Sequence, residues 1–347
     1  MVDLTVVIPA FNAAKTIKST LQSIVEQRMQ PREIIVIDDG STDNTVDVVK
    51  RFPKVQYVRQ SNAGVSRARN NGVALSTSAW IAFCDADDIW HPAKVGICLE
   101  AIRQFPAIPF VFHDFYMFKA SEVFAQSGTF SGKTIFPIFK ENRITIKDIL
   151  KERRTLVLES EEYQDTKKVE VLYGNAFEGL IYGNFILPTT VLMRKDVFQG
   201  IGGFDPSFPV GEETEFFMRA SKNMDFLFIN VPLAGYQYNS GGLTANVPRL
   251  LTHGLRAFEK HCVEDPMARM RFAKNVKTAA AKRYSRMSYY YLSECKRSEA
   301  GKYAIDSLRY NIFERRAWFT LMLSIFPVPV IKELRRTKAW WTKKVYS

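Results

Sequence analysis

Apolar positions in the first hundred residues fall into short β-branched runs separated by longer stretches with helical spacing. Residues 4–9 (LTVVIP) predict a first strand, and residues 13–26 a helix. Residues 33–37 (EIIVI) predict a second strand, and a helix opens near Ser41-Thr42-Asp43. Residues 55–58 predict a third strand, 64–75 a third helix and 79–84 a fourth strand. Apolar strands alternating with helices of this length imply βαβ units and a parallel sheet covered on both faces, an α/β fold.

Such sheets take ligands at the carboxyl ends of their strands. The polar residues there are Pro9-Ala10-Phe11-Asn12, Asp38-Asp39-Gly40-Ser41 and Asp85-Ala86-Asp87-Asp88. Two of these three loops carry clustered carboxylates, so the pattern predicts an acidic crevice. Neither GxGxxG after the first strand nor GxxxxGK[ST] is present, which leaves the dinucleotide and P-loop readings without their fingerprints.

Beyond residue 105 the pattern weakens. Residues 110–118 predict a strand, and the charge-rich stretch 151–168 a helix or a mobile loop. Residues 186–193 predict a strand, 202–205 a turn, 211–221 a helix, and 226–229 and 236–238 two strands. From Pro248 onward the spacing is helical: residues 267–294 and 298–311 predict a hairpin, with Gly301 near its turn.

Charge divides the chain differently. The 347 residues carry 48 Lys and Arg against 36 Asp and Glu, a formal charge of +12. Residues 251–347 hold 21 basic and 8 acidic side chains, so the body is nearly neutral and the carboxyl-terminal region is strongly basic. Such asymmetry points to an anionic partner for that region, membrane or nucleic acid. Hydrophobic content of 46% excludes wholesale disorder. The four cysteines form no CxxC, which argues against a zinc site or a disulfide framework and fits a reducing cytosol. No signal peptide is visible at the start, and the longest apolar stretch, 317–331, is 15 residues with two prolines. A helical span needs about 20 residues, so no ordinary transmembrane helix is expected.

Asp85 and Asp87, one residue apart at a strand end, can share a hard divalent cation such as magnesium or manganese while leaving positions for phosphate oxygens. The alternative is a solvated turn with capping aspartates. The nearby Asp38-Asp39 pair favours the cation, because crowded carboxylates need a counter-charge or a proton. Glu212 and Glu213, read alone, fit the acidic first turn of a helix. The four histidines are well separated and read as surface or core residues, and Cys84 reads as a packing residue beside the acidic loop.

These residues together resemble family 2 glycosyltransferases of the GT-A (nucleotide-sugar-binding) fold. The resemblance rests on residues 6–13 (VVIPAFNA), 34–43 (IIVIDDGSTD), 62–70 (NAGVSRARN) and 85–88 (DADD), in family order. Pro188-Thr189-Thr190 with Arg194, Gly202-Gly203-Phe204-Asp205, and Gly211-Glu212-Glu213 with Arg219 extend it, to about residues 3–245. It implies a mixed, mostly parallel GT-A sheet with a nucleotide-binding half (1–105) and an acceptor half (106–247). Pro9, Phe11 and Asp39 are then expected at the nucleotide base, Arg67 in the segment approaching the nucleotide, and Asp85 at ribose and metal. Asp87 is expected as the direct ligand of Mn2+ or Mg2+, and Glu213 as the catalytic base. The family more often has Asp at the position of Glu213, so Glu215 stays open as a contributor, and relatives often carry His where this chain has Asn239. The processive signature QxxRW is absent, which favours single-sugar transfer.

After Arg315-Arg316 comes an apolar stretch, then Pro327-Val328-Pro329 and a basic stretch, 331–344, with Trp340 and Trp341. Residues 248–312 are expected as a helical hairpin and 313–347 as a basic amphipathic segment that associates with anionic membrane. The alternative is a helical cap packed on the protein or in a homodimer. Nucleic-acid binding is set aside because no matching motif accompanies the charge. The reading is an inverting transferase at the cytoplasmic membrane face. It moves a sugar from a nucleotide sugar, with uridine favoured, to a glycan or lipid-linked acceptor in cell-surface polysaccharide or lipopolysaccharide assembly. A non-catalytic nucleotide-sugar-binding or scaffold protein is the alternative.

Overall fold

The computed structural model describes residues 2–118, 142, 144–158, 168–237 and 247–330. The chain divides into two compact units, Met1–Ala245 and Asn246–Ser347.

The first unit opens with β1 (Val2–Ala10), α1 (Ile17–Val25), β2 (Pro31–Asp38), α2 (Thr45–Val49), β3 (Gln56–Arg59), α3 (Val65–Leu75) and β4 (Trp80–Phe83). It continues through β5 (Ile89–Trp90), α4 (Lys94–Gln104), β6 (Phe110–Phe118), α5 (Ile146–Ile149), β7 (Glu152–Val157) and β8 (Lys168–Asn175). Then follow α6 (Phe177–Tyr182), β9 (Val191–Arg194), α7 (Lys195–Ile201), α8 (Glu212–Ser221) and β10 (Asp225–Gln237). Among the described residues, ten strands form one mixed sheet in the order β3-β2-β1-β4-β9-β6-β10-β8-β7, with β5 pairing β10.

Helical crossovers force β1, β2, β3 and β4 to run parallel, and helices then cover both faces. Leu4, Val6, Val7 and Ile8 of β1 are all fully buried, so this strand reads as a continuous apolar run rather than an alternation. One topological consequence positions the site: β1, β2 and β4 all end at the same edge, each followed by one of the polar loops.

Within the stretch expected as helix or loop at 151–168, residues 152–157 instead form an outer strand, β7. β7 and β8 pair antiparallel, from Glu152↔Tyr173 to Val157↔Lys168. Of β7 only Leu156 is buried, and its charged side chains face solvent. Charges on an outer strand, here Glu152, Arg153 and Arg154, discourage further pairing, which is why a true strand looked like a charged loop. Residues 159–167 lie outside the described residues. The expected strand at 186–193 is shorter, because Pro188–Thr190 forms a single 3-10 turn before β9. The two strands expected at 226–229 and 236–238 are one strand, β10, whose register shifts around Pro232, a residue with no N–H to give the ladder.

The second unit contains α9 (Val247–Phe258), a π-helical turn (Glu259–Val263), α10 (Pro266–Arg271), α11 (Ala273–Ser293), α12 (Arg297–Tyr310) and α13 (Arg315–Ser324). The single long helix expected at 267–294 is broken at Phe272, whose φ of −122° and ψ of 33° leave the helical region. The turn between α11 and α12 is made by Cys295, at φ 59°. Gly301 lies inside α12, not at the turn. A Cβ there would meet Ser324 Oγ at 3.3 Å, so the glycine serves the close approach of α13. Arg297 caps the end of α13, donating to the carbonyls of Ser324 at 2.8 Å and Ile325 at 2.7 Å. Among the described residues no helix is long and apolar enough to cross a membrane. Tyr238, Asn239 and the expected basic helix at 331–344, with Trp340 and Trp341, lie outside the described residues.

Candidate active site

The loop after β1 is stitched to the loop after β2 by short polar side chains. Asn12, at φ 50°, donates its N–H to Ser41 Oγ at 2.9 Å, and its Oδ1 accepts the Thr42 N–H at 2.8 Å. The N–H groups of Ala13 and Ala14 go to Thr45 Oγ1 at 2.9 Å and Asp43 Oδ2 at 3.0 Å. Gly40 turns the second loop at φ 82°, with Asn62 N only 3.0 Å from where a Cβ would sit. Phe11, 51% exposed, projects from this framework as an open aromatic surface, whereas Pro9 is buried within β1.

Asp38 and Asp39 are both buried, and neither calls for a cation. Asp38 accepts the Ser41 N–H at 2.7 Å and the Tyr57 hydroxyl. Burial and then this carboxylate push the Tyr57 phenol up to about 12. Asp39 accepts from Gln60 Nε2 at 2.7 Å, Ala63 N at 2.8 Å and Gly64 N at 2.8 Å, tying the second loop to the entrance of α3. A carboxylate has about four acceptor sites, so Asp39 keeps roughly one for a ligand donor. The expectation that this pair adds to a metal-demanding cluster is therefore corrected: protein donors already satisfy it.

The third loop follows β4. Asp85 and Asp87 are half-buried, while Asp88 is fully buried. Burial first, then the charges of Asp85 and Asp87, hold the Asp88 carboxyl well above the usual range. Its Oδ1 accepts the Gln237 N–H at 3.1 Å and its Oδ2 has no hydrogen-bond partner. Asp88 thus behaves as an interior acid beneath the loop, leaving Asp85 and Asp87 as the accessible oxygen donors. Among the described residues no group of three or more His, Cys, Asp or Glu forms a ready cage. Two half-exposed carboxylates still fit a magnesium- or manganese-type ion, which takes one or two from protein and the rest from phosphate and water. Cys84, fully buried beside the loop with its thiol pushed up by burial, matches its expected packing role.

A residue not singled out from sequence joins this loop to α8. Arg69, only 3% exposed, donates to Asp85 at 2.6 Å and to Glu212 at 2.7 Å. Its guanidinium lies 5.2 Å from the Phe204 ring centroid and 6.0 Å from that of Phe83. Burial would lower its pKa, but the two carboxylates outweigh that and hold it above its ordinary value. The next residue, Asn70, grips the backbone of Phe204 on both sides, donating to its carbonyl at 2.8 Å and accepting its N–H at 2.9 Å. The available sequence signal was position: Ser66, Arg69 and Val73 fall at i, i+3 and i+7 on the buried face of α3. Arg67 points the other way and is exposed.

At the start of α8 the three glutamates separate into roles. Glu215 is fully buried and both its oxygens are taken by Arg219, at 3.1 and 2.7 Å. Glu212 is committed to Arg69. Glu213 is half-buried, and burial followed by repulsion from Glu212 pushes its carboxyl up to about 8. Such a group is mostly protonated at neutral pH and becomes a strong proton acceptor as pH approaches and passes about 8.

Known proteins resemble this chain in sequence and in fold. Residues 5–149 match the model of a family described as glycosyl transferase family 2. The chain is 42% identical over 93 residues to an uncharacterized glycosyltransferase, YibD, of Escherichia coli K12, covering 26% of this chain and 27% of that protein. It is 32% identical over 105 residues to a chondroitin synthase of Escherichia coli, covering 29% of this chain and 15% of that protein. The chain therefore spans well under two thirds of these relatives' lengths. Among solved structures, Staphylococcus aureus TarS residues 1–349 in complex with UDP-GlcNAc superposes with a TM-score of 0.61 at 14% identity, covering 97% of this chain and 93% of that one. That similarity shows a shared GT-A fold.

Proposed function

We propose that this chain, a family 2 glycosyltransferase over residues 5–149, transfers one sugar from a uridine diphosphate sugar to a hydroxyl of a glycan or lipid-linked acceptor, with inversion at the anomeric carbon. The observation that carries the reading is the Arg69 bridge. It holds the Asp85 loop and the Glu212-Glu213 start of α8 against one another, at 2.6 and 2.7 Å.

Phe11 offers an apolar face for the base and Asp39 its remaining acceptor site for a base N–H. Asp85 and Asp87 would hold Mn2+ or Mg2+, whose chemistry is to offset the negative charge growing on the diphosphate as the sugar C1–O bond breaks. Glu213 takes the proton of the acceptor hydroxyl as its oxygen attacks C1 from the face opposite the diphosphate. The bond from acceptor oxygen to C1 forms, the electrons of the breaking bond leave with the diphosphate, and the proton ends on Glu213. One base suffices, and no covalent intermediate is needed. UDP and UDP-GlcNAc bound to TarS, a neighbour in fold, support the uridine choice. The chondroitin synthase relationship supports a role in cell-surface polysaccharide assembly, and our reading puts the acceptor at the inner face of the membrane.

A panel of nucleotide sugars tests the reading by manganese-dependent thermal stabilisation and by donor hydrolysis, because only ligands of the folded state raise its melting temperature. Stabilisation and hydrolysis by one uridine diphosphate sugar are expected. Stabilisation without turnover, with any acceptor, would favour a non-catalytic nucleotide-sugar-binding protein.

A further inference from the structure

Helix α13 is apolar on two sides. Ala317, Thr320 and Leu323 face inward, and Leu323 packs with Leu292, Ala300 and Phe319. On the other side Trp318, Met322 and Ile325 stand at i, i+4 and i+7 and are 50%, 52% and 74% exposed. A helix with one apolar stripe is explained by its own core, but a second, uncovered stripe is not. The turn leading into the helix adds Phe313, the most open of these at 85% exposed. Trp318 Nε1 donates to the Ile312 carbonyl at 2.7 Å, so the indole's one polar atom is satisfied within the chain and the ring meets solvent as carbon. The far end of the helix is fixed by the Arg297 cap.

We propose that this face of α13 docks on an anionic lipid bilayer, the helix lying along the surface with Phe313, Trp318, Met322 and Ile325 inserted among the headgroups. Charge selects this occupant. Residues 313–347 carry eight basic and two acidic side chains. Arg315, at the head of the exposed stripe, and Arg316 beside it begin that basic run. Apolar side chains beside Lys and Arg are what an interfacial segment presents to anionic lipid, and Trp favours the headgroup level. A second copy of the chain would instead bring the same cationic stretch against itself. The proposal deepens the membrane-face location given above, yet it does not depend on the transfer chemistry.

Flotation of the full chain tests it, with vesicles of phosphatidylcholine alone and with about 30% phosphatidylglycerol added. Binding is expected only to the anionic vesicles and should weaken with salt. Phe313→Ser combined with Ile325→Ser should reduce vesicle-bound protein about tenfold or more while thermal melting stays unchanged, since both side chains are already exposed. Arg315→Gln with Arg316→Gln should reduce the preference for anionic vesicles. Trp318→Phe should remove a vesicle-induced blue shift of tryptophan emission. The proposal is overturned if the apolar substitutions leave binding intact, which would assign it to another segment such as 331–347. It is equally overturned if sedimentation shows a dimer that Ile325→Ser dissociates, or if no vesicle binds. Vesicle binding without donor hydrolysis would sink the transferase reading and leave this one standing; hydrolysis without vesicle binding would do the reverse.

Discussion

Arg69 donates to Glu212 at 2.7 Å across 143 positions of sequence, and the same guanidinium reaches Asp85 at 2.6 Å. The contact links helix α3 to the first turn of α8. Arg69→Met should leave Glu212 buried without its counter-charge, and removing one partner of such a pair costs about 3–5 kcal/mol. Arg69→Lys should recover only part of that, because an ammonium cannot fork to two carboxylates. Urea denaturation measures both; a loss below about 1 kcal/mol for Arg69→Met would mean the bridge is as weak as a surface pair.

A base at Glu213 makes transfer depend on pH. Burial and Glu212 raise the Glu213 carboxyl from its ordinary 4.5 to about 8. Its folded value lies above its unfolded one, so below about 8 the group is protonated and cannot accept the acceptor's proton. Transfer should therefore rise with pH, by roughly tenfold per unit on the acid limb, and level off above about 8. Glu213→Gln should keep donor binding, lose transfer and flatten the profile. An unchanged rising limb in that variant would place the base elsewhere.

What could be read in advance followed from pattern strength. Strands β1 and β2 carry continuous apolar runs, residues 6–8 and 34–37, because both faces are covered, and the loops after them are marked by polar residues. Edge strand β7 was not legible, since its exposed charges imitate a loop. Within the candidate site, Asp85, Asp87 and Glu213 could be singled out from loop position and resemblance, because carboxylates at strand ends and helix starts stand out. Arg69 could not, because its role depends on a partner far along the chain, which spacing on its own helix does not specify. Sequence also made Asp38 and Asp39 look like one acidic pair, whereas the structure gives each its own donors.

That difference is measurable. Asp38→Asn should weaken the loop by about 1–3 kcal/mol, because Asn can still accept the Ser41 N–H but turns a donor group toward the Tyr57 hydroxyl. It should leave manganese-dependent donor binding intact. Asp87→Asn should do the opposite, sparing stability while abolishing the manganese dependence. Calorimetric titration of a uridine diphosphate sugar with and without manganese separates the two, and loss of the manganese effect in Asp38→Asn would return the second loop to the metal site.

Lys94 is fully buried, an uncommon position for an ammonium. It donates to the Thr189 carbonyl and lies 3.4 Å from the Trp90 ring centroid. Burial lowers its pKa from 10.5 to about 7, against the opposing pull of Cys98, Cys84 and Asp88. Between those two values the unfolded chain binds a proton that the folded chain does not, so this residue makes folding less favourable at low pH and relieves that cost as pH rises. The stability of the native protein minus that of Lys94→Met should therefore increase between pH of about 7 and 10, at up to about 1.4 kcal/mol per unit. Denaturation of both proteins across that range gives the difference directly, cancelling other titrating groups they share. A flat difference would show that the ammonium stays charged inside, held by the Thr189 carbonyl, the Trp90 face and the buried Asp88.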